Sequence, residues 1–460
     1  MLSWEKLLNQ TRRKELHGSK EVLGTGVGRT EFERDYDRIL FATPTRRLAN
    51  KTQVFPLEEN VCVRTRLTHS YEVSNLARSI GVRLAFDHAE QVFGPNHEKL
   101  KVKRNAPSLL AAAGLAHDLG NPPFGHQGEI AIQQWFKENE HEENINFDFL
   151  EFDGNAQTIR LLTRLQVLND QYGLNLTVGT LAALIKYPSV YGSDSKYGFE
   201  KYGVFKSEEP IALEVWKNTG LSAGIRHPFA YITEACDDIA YSIIDAEDIV
   251  KKGYASFYDL MDFLKFFDGR DNVIKEVIKA SKKENTKFKR DQLRSRVSFR
   301  ELNDLSMTMF RVIAISVMIT EATNVFVNCI SNIMNGSITP GFKLIEKSKC
   351  AQLCKAVKDF DKRYGFQHKD VLRLELQGNN YIKEMMTMLW QAISKDGNSN
   401  NPLDRFILGD ISENYRRVYN KTKKSSYEKR QLLCDTISGM TESYLIKKLD
   451  EYKSLKNETA

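Results

Sequence analysis

With 460 residues, 41% of them hydrophobic and 27% charged, the chain has the make-up of a soluble globular protein and enough length for one large core or two smaller ones. A net charge of +6 is mild, admitting polyanionic ligands without demanding them. The polar start "MLSWEKLLNQTRRKELHGSK" is unlike a secretory signal, and six scattered cysteines show no paired zinc spacing, so a cytoplasmic protein with reduced thiols is expected.

In chain order, the glycine-rich "GTGVGR" (24–29) matches a nucleotide loop only weakly, because no apolar strand leads into it, and reads as a flexible loop. "NVCVRT" (60–65) is the best strand candidate in a chain whose patterning is otherwise helical, so the expected fold class is mainly α. In "LTHSYEVSNLARSIGVRLAF" (67–86), Val73, Leu76, Ala77, Ile80 and Leu84 recur at helical spacing behind Thr68 as N-cap. "SLLAAAGLAHDLG" (108–120) predicts a buried small-residue helix, stopped by Gly120 and the following Asn121-Pro122-Pro123. Another helix, "GEIAIQQWFKEN" (128–139), is expected to start just past His126. Composition shifts near residue 281, where the basic "SKKENTKFKRDQLRSR" opens a mostly helical C-terminal portion; a division near 270–280 follows, between parts of one compact body. Within that portion "VIAISVMI" (312–319) is too short for a membrane span of ~20 residues and reads as a buried helix. Cys350 and Cys354 suit one helical face, and "KDGNSNNP" (395–402) is a polar turn.

The chemistry concentrates in "HDLGNPPFGH" (117–126), which holds two of the chain's nine histidines. His117 and Asp118 are adjacent at a helix end, about 100° apart around the axis, and can converge on one ion beyond it. Imidazole nitrogen with carboxylate oxygen suits Mn²⁺, Fe²⁺, Co²⁺ or Zn²⁺, with Mg²⁺ admitted where substrate phosphate helps. An isolated pair of this kind is more often a buried hydrogen bond, but two further stretches carry matching groups. "RTRLTHS" puts His69 at a helix start, and "EACDDIAYSIIDAED" spaces Asp237, Tyr241 and Asp245 at i, i+4, i+8 along one face.

The order His69, His117-Asp118, Asp237 resembles the H…HD…D signature of the HD-domain metal-dependent phosphohydrolases. More narrowly, "TRRLANKTQVFPL", "LAHDLGNPPFGHQGE", "FDGNAQTIRLL", "GLNLTVGTLAALIKYP", "RHPFAYITEACDDIAYSIIDAED" and "DTISGMTESY" resemble bacterial deoxyguanosine triphosphate triphosphohydrolases, in blocks running from about residue 29 to 444. The resemblance implies a helical HD core over 61–275. It adds a substrate-contacting segment over 1–60 and a C-terminal helical region over 276–460 for base recognition and oligomer contacts. One divalent ion per subunit is implied, Mn²⁺ or Mg²⁺ first and Fe²⁺, Co²⁺ or Zn²⁺ as alternatives, held by His69, His117, Asp118 and Asp237. Asp237 is preferred to Asp238 because the family's ligand lies four residues before the active-site tyrosine, here Tyr241. Asn121 stands where some relatives carry another histidine, which favours a single ion.

By the same resemblance His126 is catalytic and Glu129 orients it. Arg66, Lys186, Tyr241 and Asn155 meet the phosphates, and Gln53 and Asp245 read the sugar. The main-chain amide of Val54 and the carboxylate of Glu375 read guanine, with Arg416 and Arg417 flanking the base from the same or a neighbouring subunit. The implied reaction is hydrolysis of deoxynucleoside triphosphates, dGTP preferred, to deoxynucleoside and inorganic triphosphate by water attack at the α-phosphorus. A homo-oligomer, commonly a hexamer, is implied, with single-stranded DNA or a second nucleotide as effector and no membrane partner. Two alternatives stay open: a nucleotide phosphohydrolase of the 5′-nucleotidase or alarmone-hydrolase type, and a nucleic-acid-binding or effector-sensing protein with a structural metal. The basic segments "SKKENTKFKRDQLRSR" and "NKTKKSSYEKR" motivate the second.

Overall fold

The computed structural model describes residues 1–458 apart from 19–27, 59–61, 140–146, 167–169, 193–195, 270 and 296–297. Helices carry the described residues, and no β-strand occurs among them; backbone pairing outside helices is confined to isolated bridges such as Thr52 with Thr65. The strand expected over 60–65 is therefore absent where the chain is described, and Thr65 caps a helix instead. Most of the glycine-rich stretch, 24–27, lies outside the described residues.

Helix α1 (Arg66–Asp87) begins a turn earlier than its apolar periodicity suggests, because Thr65 is the N-cap and Thr68 sits at the third position. The two hydroxyls serve each other's backbone amides, with Thr65 N–H donating to the Thr68 hydroxyl at 3.0 Å. This earlier start puts Arg66 and His69 in the first helical turn. Val73, Leu76, Ala77, Ile80 and Leu84 are all buried, as their spacing requires.

Helix α2 (Val102–Ala116) packs along α1 with almost nothing between the backbones. A Cβ placed on Gly114 would lie 2.7 Å from the Cα of Ser74, and one on Gly81 would lie 2.9 Å from the Cα of Pro107. The run "LAAAGLA" is small for this reason, and Ser74 Oγ seals the contact by donating to Ala111 O at 2.8 Å. The helix ends at Ala116, four residues before the Gly120 stop expected for it, and Gly120 serves a close approach instead: a Cβ there would lie 2.2 Å from Thr158 N, on a later helix.

After the Pro122-Pro123 turn, Phe124 and Gly125 both adopt positive φ, 61° and 54°, and helix α3 (Gly125–Asn139) starts at once. His126 consequently lies inside the first turn of α3 rather than ahead of it. Helices α4 (Gly154–Arg160) and α5 (Pro228–Ile239) pack around this centre. The expected division near 270–280 falls where the helix Asn272–Ser295 begins, and that helix carries most of the basic stretch.

Helix α6 (Phe299–Met334) is 36 residues long, because Glu321 and Asn324 continue the helix rather than break it. It is the one helix among the described residues long and apolar enough to cross a membrane. Phe310, Ala314, Met318, Ala322 and Phe326 form its buried face, which packs on α5 and α1. Helix α7 (Lys369–Ser394) lies along α3, and the polar turn 395–401 follows it. Helix α8 (Glu442–Glu458) packs on α7. One hydrophobic cluster runs from Trp4 to Tyr452, with Cys354 on the face expected for it.

The backbone contact at Gly114 makes a prediction. Gly114→Ala inserts a methyl against the Ser74 backbone, and overpacking of this kind costs about 1–3 kcal/mol. A denaturant titration is expected to show the loss, with metal affinity falling alongside because His117 shifts away from His69.

Candidate active site

The short α1–α2 approach brings His69 and His117 together, with ring centroids 5.5 Å apart. His69 Nε2 lies 3.1 Å from Asp237 Oδ1, and His117 Nε2 lies 3.5 Å from both Asp118 Oδ1 and Asp237 Oδ1. One donor atom from each of His69, His117 and Asp118 falls within 4.8 Å of the others, a span one ion with bonds of about 2.0–2.3 Å can bridge. His117 Nδ1 donates to Gly114 O at 2.7 Å, which leaves the Nε2 lone pair facing the carboxylates; that nitrogen is buried and has no hydrogen-bond partner. Burial opposes charge on His117, yet Asp118 and Asp237 outweigh it and push the imidazole up to about 9. Burial also opposes charge on Asp237, but the neighbouring imidazoles of His117, at 3.5 Å, and His69, hydrogen-bonded at 3.1 Å, hold its carboxyl well below the usual range. A place that draws a proton onto a buried imidazole this strongly is built for a cation, and this donor set fits a divalent metal. Asp238 has a different partner: its Oδ1 takes Lys358 Nζ at 2.5 Å.

Arg66 Nη1 pairs with Asp118 Oδ2, and its Nε donates to Thr52 O at 3.1 Å. A Cβ on Gly125 would lie 2.5 Å from Arg66 Nη2, so glycine there leaves room for the guanidinium. His126 Nδ1 meets Glu129 Oε2 at 2.9 Å, while Glu129 Oε1 accepts Gly154 N–H at 2.7 Å. The Glu129 bond raises His126 above its usual 6.5, against burial. The His126 side chain is otherwise open, 71% exposed, so its free edge faces the cavity.

A cavity of about 400 Å³ joins these groups. Its lining includes Gln53, Val54, Arg66, His117, Asp118, His126, Glu129, Asn155, Lys186, Asp237, Tyr241 and Glu375. His69 is buried just behind it. Lys186 stands 3.6 Å from Glu234, and although burial opposes its charge, Glu234 leads the groups that raise it above the ordinary lysine range. Gln53 Oε1 is buried without a hydrogen-bond partner, an acceptor available to a ligand.

Two sets of expected residues lie outside the lining of this chain's cavity. Asp245 is 1% exposed and does not line the cavity; residues Ala240–Ile244, just ahead of it, form a π-helical turn. Arg416 and Arg417, on the helix Glu413–Asn420, do not line it either; Arg417 pairs with Glu413 and borders a separate cavity with Lys421 and Lys423. Conversely, Phe124, Thr233, Glu234 and Phe366 line the cavity unforeseen. Glu234 had a local signal, one turn ahead of Asp237; the Phe366 ring packs on Tyr241 at 5.6 Å from a distant segment and had none.

Residues 66–162, which contain His69, His117-Asp118, His126 and Glu129, match the HD domain family. Over 96% of its length the chain is 34% identical to a deoxyguanosinetriphosphate triphosphohydrolase-like protein of Listeria monocytogenes, covering 97% of that protein. The chain belongs to the deoxyguanosinetriphosphate triphosphohydrolase-like family. A relative of the same name from Synechocystis is 32% identical over 96% of the chain and 97% of that protein. An Enterobacter protein named deoxyguanosinetriphosphate triphosphohydrolase is 30% identical over 92% of the chain and 93% of its own length. Membership makes the protein a hydrolase of the HD phosphohydrolase kind. The HD domain implies a divalent metal, which His69, His117 and Asp118 can hold.

The two neighbouring aspartates separate metal binding from packing. Asp237→Asn is expected to weaken Mn²⁺ binding at least tenfold by calorimetry, whereas Asp238→Asn, which loses only the Lys358 pair, keeps it within about threefold.

Proposed function

We propose that this protein hydrolyses deoxynucleoside triphosphates, dGTP foremost, to deoxynucleoside and inorganic triphosphate. The observation that carries the reading is one cavity holding a divalent-ion donor set, the cations Arg66 and Lys186, an open His126–Glu129 pair and the half-buried acid Glu375. Relatives named for dGTP hydrolysis over most of the chain support it. A divalent ion held by His69, His117, Asp118 and Asp237 supplies Lewis-acid polarisation of phosphate oxygen and a more acidic water.

The protein's own groups do the rest. Arg66, Lys186, Tyr241 and Asn155 bind the triphosphate, and the cations offset charge that builds on it as the ester bond breaks. Their acidic partners Asp118 and Glu234 hold the cations in place beforehand. His126, kept protonated by Glu129, gives its proton to the departing 5′-oxygen. The Gln53 side chain orients the sugar, and the Val54 amide with Glu375 reads the base edge. Glu375 forms no hydrogen bond within the described chain, and burial raises it. Its carboxylate accepts from the paired N1–H and N2–H₂ donors that guanine offers and adenine lacks. Incubating the Mn²⁺-loaded protein with each deoxynucleoside triphosphate and identifying the products tests the reading; intact triphosphate is expected, and its absence for all four substrates rejects it.

Two predictions follow from the roles assigned. Because the folded His126 titrates above 6.5, its proton is available at low pH and lost as pH rises through the raised value. The rate is therefore expected to fall on the alkaline side above pH 6.5, and Glu129→Gln should move that limb to lower pH. Glu375→Gln replaces one acceptor with a donor and leaves a guanine N–H unpaired, which costs about 1–3 kcal/mol, roughly 5- to 150-fold in kcat/KM for dGTP. Losses on the other three substrates should be much smaller; equal losses on all four mean that Glu375 does not read the base.

A further inference from the structure

Behind the cavity, three chain segments far apart in sequence meet in one buried polar knot. Glu442, at the start of α8, is 4% exposed. Its Oε1 accepts two backbone amides at once, Thr52 N–H at 2.7 Å and Phe124 N–H at 3.0 Å, while Oε2 takes the Thr52 hydroxyl. Beside it, the buried Lys51 ammonium donates to Asn121 O at 2.6 Å and Ser438 O at 2.7 Å. Neither Glu442, Lys51 nor Thr52 lines the cavity.

Two of the three segments tied to this knot carry cavity groups. Thr52 precedes Gln53, and its carbonyl fixes Arg66 Nε. Phe124 is two residues before His126 and holds φ at 61°, an uncommon and strained conformation for a bulky side chain. Its ring is wedged against α7, where a Cβ on Gly378 would lie 2.5 Å from it. Within "NPPFGH" Gly125 N–H closes the turn on Pro122 O at 3.1 Å, and the Phe124 amide itself is held at long range by its hydrogen bond to Glu442.

We propose that Glu442 is a positioning residue for His126, acting through the strained Phe124-Gly125 turn and registering that turn against the Thr52-Gln53 segment. The inference rests on the proposed hydrolase reading for its kinetic consequence, but its geometric content does not. The essential feature is one oxygen placed to take two amides. Charge is secondary, so the carboxamide of Glu442→Gln keeps the bridge, with its amino group turned to the Thr52 hydroxyl, which can accept. Glu442→Asp keeps the charge and loses the reach. Glu442→Ala leaves both amides unpaired in a buried place.

The test compares the three variants as full-length, Mn²⁺-loaded protein. One readout is kcat and KM for dGTP; the other is the titration of His126 by NMR, which needs no substrate. His126 is faced by Glu129, Lys201, Asp153 and Glu375, none of which is altered, so a shift in its titration reports its placement. Glu442→Ala is expected to lose about 10²-fold in kcat, the scale of a misplaced catalytic group, with Mn²⁺ content unchanged. Its His126 should titrate closer to 6.5 as the Glu129 bond loosens. Glu442→Gln should recover most of both properties and Glu442→Asp little of either, which keeps the test decisive if the alanine variant does not fold. An aspartate variant that equals or exceeds the glutamine variant overturns the proposal, because Glu442 then acts by charge. A wild-type His126 titration retained in both Glu442→Ala and Glu442→Asp overturns it as well. A wild-type protein that hydrolyses no nucleotide rejects the hydrolase reading instead and leaves the NMR comparison to decide this one.

Discussion

Where α1 and α2 cross, Gly114 lies against the Ser74 backbone with no side chain between them, and both imidazoles of the metal site hang from that crossing. His117 follows Gly114 by one turn and is tied back to it through Nδ1, so its orientation is fixed by the same residue that permits the approach. Interiors as dense as this do not absorb an added methyl by local adjustment. The small residues of α2 therefore serve the donor set as much as the core.

The electrostatics build outward from that crossing. Two imidazoles and two carboxylates are drawn together in a buried place, with Arg66 pressed onto one carboxylate. Without a metal, a proton on His117 takes part of the cation's place, so metal uptake and proton release are linked and binding weakens as pH falls. Glu129 has a comparable double role on the other side of the turn: one oxygen holds His126 and the other the first amide of α4, the helix that carries Asn155.

Much of this was legible in local pattern. Helical spacing located α1 and its buried face, and the dipeptide His117-Asp118 located the metal site, because both are signals between residues a few positions apart. The cap of α1 was misplaced by one turn because Thr65 and Thr68 are both good capping residues and spacing alone does not rank them. The burial of Asp245 behind the cavity wall left no mark in periodicity, nor did the π-turn at Ala240–Ile244 that changes the angle per residue midway along the run. The contacts of Phe366 and Glu442 were invisible, since each joins segments more than a hundred residues apart and neither has a spacing to read. Arg416 and Arg417 came only from resemblance; within this chain they do not line the cavity, and Arg417 borders another one.

The bond from Phe124 to Glu442 spans 318 residues. At synthesis rates of about 5–20 residues per second, roughly 15–65 s separate the appearance of the two ends. Throughout that interval His69, His117 and Asp118 already exist, and the turn that carries His126 lacks its long-range hydrogen bond. A nascent chain can thus bring its candidate ion-binding helices together well before the turn that carries His126 is held in place, so the two parts of the cavity are completed at different times in the order of synthesis.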